Sequence, residues 1–457
     1  MLRFLAVILL LTCAVSTAQV RILTIGDSIT DEYGAISSLD NIFTVGSVYP
    51  EPDPPSNNPR AFNWPELLEL RRSAEADFGV FGMWTRLWNI FNPGDTRYEG
   101  YQYNFALVAM TTEDWVNILN GKTSGFVYPG LFANTGSNLL ASLGSVDVAV
   151  ILLGGNDLKG AYDNIITTPP PNPFLSEVHD RIETIHTRIR TQAPNLPIVV
   201  ATVPDVGATP DVFNSRTSPD IAAARAAIAL INQDIVSTFS TKSKTTVARV
   251  DNLTSEILDI KLGLVPGPYD LNGTEFVSDA GDPYNPPDHL FCKDGFHPHT
   301  VGQLLIANEV IAAINQIAAA DPDFPGTITP FSNREILDIL LLDPDQPYLD
   351  WIAGFGVTTD GPDDDPDRDG LPNLVEMILG TPPNTFSTPF TGSWPGGVSW
   401  TPADERYAAL SAEESPDLGD WTPVPEARIS INGAQRTVTP PGGEDRYFLR
   451  FRAAPRP

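Results

Sequence analysis

Three short stretches of the chain carry residue types that could together perform acyl transfer: Gly26-Asp27-Ser28-Ile29, Gly154-Gly155-Asn156-Asp157 and Asp294-Gly295-Phe296-His297-Pro298. A serine hydroxyl is a weak nucleophile and needs a base within hydrogen-bond reach, usually histidine. The histidine in turn needs an acceptor that fixes its tautomer and stabilises the imidazolium. Asp294 and His297 are three residues apart, so one turn can hold both and let the carboxylate reach the ring. The tetrahedral oxyanion needs preorganised donors, and losing one costs about 3–4 kcal/mol. Candidates are the Ser28 backbone N–H, a backbone N–H near Ala109 and the Asn156 side-chain amide. Taken alone, Ser28 would more ordinarily cap a helix; Asp294 and His297 reverse that order. Asp27 is read as holding local structure.

A second chemistry is written into Asp365-Pro-Asp367-Arg-Asp369-Gly370-Leu371-Pro-Asn373-Leu-Val-Glu376. The residues match a twelve-residue calcium loop at positions 1, 3, 5, 6, 9 and 12. Calcium takes about six to eight oxygens, which the three aspartates, the Leu371 carbonyl, Asn373 and a bidentate Glu376 can supply around the turn at Gly370. A solvated acidic linker is the competing reading. Only a short helix, Asn373–Leu379, follows. The stretch therefore resembles the solitary calcium loops of dockerin or thrombospondin type 3 repeats, and a structural calcium is expected.

The elements that must position these residues alternate. Candidate strands are Arg21–Ile25, Asn104–Ala109, Val146–Leu153, Pro197–Val203 and Thr245–Val250, each apolar without alternation, as strands buried on both faces should be. Candidate helices are Trp64–Arg72, Phe174–Gln192, Ala222–Thr238 and Val301–Ala318. The last carries an apolar stripe of Val301, Leu304, Leu305, Ala307, Ile311 and Ile314. Alternating strand and helix imply a parallel sheet covered on both faces. Residues 34–100, with Trp64, Trp84 and Trp88, and residues 263–292 read as long loops that could cover a site. The tryptophans are expected in the core rather than on a substrate platform. His289 and His299 are expected in a loop or on a helix surface, and His179 and His186 on a solvated helix face.

Residues 1–18 read as a signal peptide: Arg3, an apolar run from Phe4 to Val15, then Ser16-Thr17-Ala18. Lipid attachment at Cys13 is an alternative, poorly supported by Thr12. No other window reads as a transmembrane segment. After cleavage Cys292 is a lone thiol, expected to be a small buried hydrophobe. The chain has 457 residues and a formal net charge of −29. That excess of acid excludes nucleic acid and anionic membrane surfaces as expected partners. The chain divides into a signal peptide (1–18), an esterase-like domain (19–320), a linker with a helical piece at Arg334–Leu342 (321–362), the calcium-loop segment (363–383) and a small β-rich module (384–457). The module ends in the strand-like run Arg446–Arg452.

The three blocks, in this order over residues 20–320, resemble those of the SGNH hydrolases, also called GDSL lipases/esterases. The resemblance implies a three-layer α/β/α sandwich with a parallel, flavodoxin-like sheet. It implies Ser28 as nucleophile, His297 as base and Asp294 as its partner, with Ser28 N–H and Asn156 as oxyanion donors and no catalytic cofactor. The family usually has glycine where Ala109 stands. Either the backbone here has negative φ, or the donor shifts, or activity is reduced. The expected function is an exported serine esterase, secreted or periplasmic, acting on acetylated carbohydrate. The alternatives are a lipase or esterase for longer acyl chains and a non-catalytic carbohydrate- or surface-binding protein on an esterase scaffold. The C-terminal module could bind glycan or cell surface.

Overall fold

The computed structural model describes residues 19–32, 61–82, 100–122, 135–280, 287–292, 294–393, 396–442 and 447–457. The signal segment with Cys13, Trp84, Trp88 and most of the 34–100 insertion lie outside the described residues. Five strands, β1 (Val20–Gly26), β2 (Ala76–Asp77), β3 (Val148–Leu152), β4 (Ile198–Ala201) and β5 (Thr245–Ala248), form one sheet in the order β2-β1-β3-β4-β5. All of its pairings are parallel. β3 and β4 are buried along their whole length, which explains their uninterrupted Val, Ile, Leu and Ala. The order reverses between β1 and β3. Open sheets of this kind present a crevice for ligands beyond the carboxyl ends of those strands.

Helices form the layers on either side. α1 (Trp64–Arg71) and α8 (Thr300–Ala320) pack together, and α8 lies on β4 and β5. α2 (Thr112–Leu119), α3 (Thr135–Ser142), α4 (Gly155–Thr167), α5 (Pro173–Gln192) and α6 (Ser218–Phe239) make the other set, with α6 on β5. α7 (Val250–Lys261) follows β5. α6 buries Ile221, Ala224, Ile228, Ile231, Ile235 and Phe239, the spacing of one helical face. α1, α2 and α6 each begin with a capping box, from Asn63, Thr111 and Thr217. Contrary to the sequence reading, α8 is long and apolar enough to cross a membrane by length and composition. Its apolar window is 61% buried, and its packing on the sheet accounts for the apolar composition.

The structure corrects several local expectations. Asn104–Ala109 is not a strand. One bridge joins Asn104 to Thr24, after which the chain turns. The segment stays beside β1 through the bond from Phe105 N to Thr24 O, while the Asn104 side chain accepts from Ala106 N and donates to Thr30 O. The apolar run Phe105–Val108 is buried because it passes beneath the Ser28 turn, where Leu107 N donates to Gly26 O. His186 is 3% exposed, bonded to Thr245 Oγ1, and its imidazole is pushed down to about 4, chiefly by burial. His299 is fully buried at the N-cap of α8. Trp64 and Cys292 are buried as expected.

Contacts divide the chain into two units. The first comprises residues 1–51, 60–258 and 291–330; the second comprises 52–59, 259–290 and 331–457. The described residues of 263–292 are not all loop: β6 (Tyr269–Leu271), β7 (Thr274–Ala280) and β8 (His289–Phe291) form a three-stranded sheet. After α9 (Asn333–Ile339), α10 (Gln346–Ala353) and α11 (Asn373–Leu379) come two antiparallel sheets. β9 (Thr391–Ser393), β10 (Gly397–Trp400), β13 (Ile429–Asn432) and β14 (Gln435–Val438) form the first, ordered β9-β10-β14-β13. β11 (Ala408–Ser415), β12 (Thr422–Pro423) and β15 (Phe448–Pro455) form the second, with β11 central. Tyr348, Ile352, Leu374, Val375, Ile378, Trp400 and Tyr407 belong to their common core.

Candidate active site

β1 ends at Gly26, and the next residues close a helical turn in which Thr30 N and Asp31 N donate to Asp27 O. Asp27 Oδ1 accepts from Ile29 N at 3.0 Å, so its carboxyl braces the turn, as expected. It is 1% exposed, and burial pushes its pKa up to about 7 against the opposing bond from Ile29 and the charge of His297. Ser28 sits at the start of this turn, beyond the carboxyl end of β1.

The turn is held from three directions. Trp64 Nε1 donates to Thr30 Oγ1 at 3.1 Å, and Asn63 Nδ2 donates to Asp31 O at 2.6 Å, both from the start of α1. Gln303 on α8 donates to Ile29 O at 3.2 Å and accepts from Trp64 N. Asn104 Nδ2 donates to Thr30 O at 2.8 Å. Each such bond contributes about 1 kcal/mol net, and a buried partner left unmade costs about 1–3 kcal/mol. Trp64 was expected in the core, but the bracing roles of Asn63, Asn104 and Gln303 were not singled out in the sequence. Gln303 was the findable one, a lone polar residue on the apolar face of α8.

His297 and Asp294 come from the loop before α8. Cys292 N donates to His297 O and Gly295 N to Cys292 O, each at 2.8 Å, closing the loop on itself. Inside it, Asp294 Oδ1 accepts from Phe296 N and His297 N at 3.2 Å, while Oδ2 meets His297 Nδ1 at 2.6 Å. His297 Nε2 lies 2.7 Å from Ser28 Oγ. Burial works against ionising Asp294, but the bond and charge of His297 with the two N–H groups outweigh it and hold the carboxyl below its ordinary range. Ser28, His297 and Asp294, 269 and three residues apart, thus form one continuous hydrogen-bonded chain. It can remove a proton from the hydroxyl as Oγ attacks an electrophilic carbon.

The Gly154–Asp157 block and the segment around Ala109 meet. Gly154 has φ +111, and a Cβ there would lie 2.7 Å from Val203 Cγ1, so the turn into α4 requires glycine. Asn156 follows on that helix, and its Nδ2 donates to Met110 O at 3.1 Å. Asp157 accepts from Thr112 N and Oγ1 at 2.9 and 2.6 Å. Asn156 is therefore anchored next to Ala109. Ala109 has φ +63, so alanine occupies the left-handed region that glycine favours. This removes the negative-φ alternative. Lys159, one turn along α4, lies 3.8 Å from the centre of the Phe296 ring, which meets the His297 ring edge-on. Lys159 also pairs with Asp211 at 2.9 Å. These neighbours, too, were not singled out from sequence.

Among solved structures, a carbohydrate esterase of family 3 from Talaromyces cellulolyticus is similar over 66% of this chain and 100% of its own, at 13% identity and a TM-score of 0.32. A family 3 carbohydrate esterase from Clostridium thermocellum gives 66%, 98%, 16% and 0.30. A phospholipase A1 from Streptomyces albidoflavus gives 65%, 99%, 15% and 0.33. No curated protein matches the chain. The family model described as GDSL-like Lipase/Acylhydrolase matches residues 22–310, and the chain belongs to that family.

Proposed function

We propose that the chain is an exported serine esterase working through an acyl-enzyme, with Ser28 as nucleophile, His297 as general base and acid, and Asp294 as the group that orients His297. The observation that carries this reading is the unbroken sequence Ser28 Oγ to His297 Nε2 at 2.7 Å and His297 Nδ1 to Asp294 Oδ2 at 2.6 Å. Attack by Oγ on the ester carbonyl passes the hydroxyl proton to Nε2 and forms a tetrahedral oxyanion. The Ser28 N–H, the Asn156 amide and the Ala109 N–H are its proposed donors. Collapse expels the alcohol, which takes the proton from His297. Water then gives a proton to His297 and attacks the acyl carbonyl; the carboxylic acid leaves and Ser28 regains its proton.

The preferred substrate is acetylated carbohydrate. The signal-like segment 1–18 and the C-terminal β-rich module suit a secreted or periplasmic enzyme for polysaccharide, and the module is a candidate glycan- or surface-binding element. The experiment is turnover of p-nitrophenyl acetate, acetylated xylo- and gluco-oligosaccharides and long-chain p-nitrophenyl esters by the wild type and Ser28→Ala. The expected result is acetate release from the sugars, little long-chain hydrolysis and a loss of about 10⁴-fold or more in the variant. Preference for long chains would make the protein a lipase. Equal rates in both proteins would leave a binding protein on an esterase scaffold.

A further inference from the structure

In the second unit the acidic stretch folds so that three of its aspartates converge. Gly370 has φ +91 and its N–H donates to Asp365 Oδ2 at 2.9 Å, while Asp369 N donates to Asp365 Oδ1 and Asp367 Oδ1 at 3.2 and 3.1 Å. One oxygen from each of Asp365, Asp367 and Asp369 lies within 4.8 Å of the others. Oxygens sharing one calcium at about 2.3–2.6 Å can be no farther apart than roughly 5 Å.

The independent observation comes from α11. Glu376 is fully buried; its Oε1 accepts from Thr381 Oγ1 at 3.3 Å, and its Oε2 has no partner. Glu376 stands at position 12 of the register whose positions 1, 3 and 5 are Asp365, Asp367 and Asp369. Asn373 is also fully buried. Its amide nitrogen donates to Thr359 O and Gly361 O at 3.2 and 2.9 Å, and its Oδ1 is left without a donor, as is Asp367 Oδ2. Buried acceptors without donors are rare in folded proteins. Here three of them, on residues 3, 9 and 12 of one calcium-loop register, turn up together.

We propose that this loop binds one calcium ion through Asp365, Asp367, Asp369, the Leu371 carbonyl and both oxygens of Glu376, with Asn373 reached directly or through water. The ion would fix a larger region than the loop. Asp369 Oδ2 accepts from Ser387 N at 2.7 Å, and Leu374, Val375 and Ile378 of α11 are core residues of the unit. Its role is therefore structural: it ties the segment before α11, the helix and the segment after it to one centre. This inference does not depend on the esterase reading.

The test uses the full chain stripped with EGTA, titrated with calcium chloride by calorimetry and followed by thermal melting. One site is expected, with a rise of about 5 °C in the second unit's transition at saturating calcium. Glu376→Gln should weaken calcium binding by about tenfold or more while removing the unpartnered buried carboxylate. Asp367→Asn, in the loop, gives the same reading should the first variant fold poorly. No heat and no melting shift would overturn the proposal. So would wild-type affinity in both variants, or an equal response to magnesium.

Discussion

Asp294 in the first unit and Glu376 in the second are both largely withdrawn from water, but their surroundings differ. Asp294 receives two backbone N–H groups and a histidine from its own loop, and these outweigh burial to keep it ionised. Glu376 receives one hydroxyl on one oxygen; burial, then the charges of Asp369 and Asp367, push its pKa up to about 8. The first carboxylate is completed by the polypeptide and can act on a neighbouring ring at once. The second is left with one oxygen that has no donor, which is where the calcium ion is proposed.

Perturbing the completed acid has the largest expected effect. Asp294→Asn keeps the shape but favours the wrong imidazole tautomer, so kcat should fall about 10³–10⁴-fold with KM little changed. Steady-state kinetics on p-nitrophenyl acetate read this out, and retention of more than a tenth of the rate would mean that His297 is oriented by something else. The calcium-dependent melting shift should survive in that variant.

Asp27 offers a smaller effect with a definite sign. Its folded pKa, about 7, stands above its ordinary 3.8, so the folded state holds this proton more tightly than the unfolded chain does. Stability is therefore lost as pH rises from about 4 to 7 and is flat beyond. Asp27→Asn removes that loss, by at most about 4 kcal/mol for three units. Its melting temperature should draw ahead of the wild type between pH 5 and pH 8. A gap independent of pH would show that Asp27 stays ionised.

Ala109→Gly should do least. Relief of the left-handed alanine, about 1–2 kcal/mol, is offset by about 0.4–1 kcal/mol of extra freedom in the unfolded chain. The backbone N–H remains, so stability should rise by about 1 kcal/mol or less and turnover should stay within about tenfold. Urea denaturation alongside kinetics measures both. A large gain in turnover would mean that alanine distorts the oxyanion hole.

Much of the first unit was legible because its physics is local or periodic. Strands buried on both faces read as apolar runs, and α8 carries its stripe over about four turns. Ser28, Asn156, Asp294 and His297 stood out because each lies where an apolar run ends or a helix begins. Asn104–Ala109 was misread as a strand because burial beneath a turn selects the same apolar residues as burial in a sheet. The segment also bonds to side chains and turn atoms from elsewhere in the chain, Asn104 to Thr30 O 74 residues away and Val108 N to Asp31 Oδ2 77 residues away. His186 was placed on a solvated face because its acceptor, Thr245, is 59 residues distant. α4 and α7 went unnoticed: the first opens on glycines and polar residues, and the second begins inside the run assigned to β5.

The most direct test of the central claim is covalent. Incubation with a fluorophosphonate, which phosphonylates activated serines, should give one adduct per chain, mapped by mass spectrometry to the peptide bearing Ser28. Loss of p-nitrophenyl acetate turnover should run in parallel, and His297→Ala should remain largely unlabelled. Full turnover in a protein stoichiometrically modified at Ser28, or inactivation with Ser28 unmodified, would contradict the account.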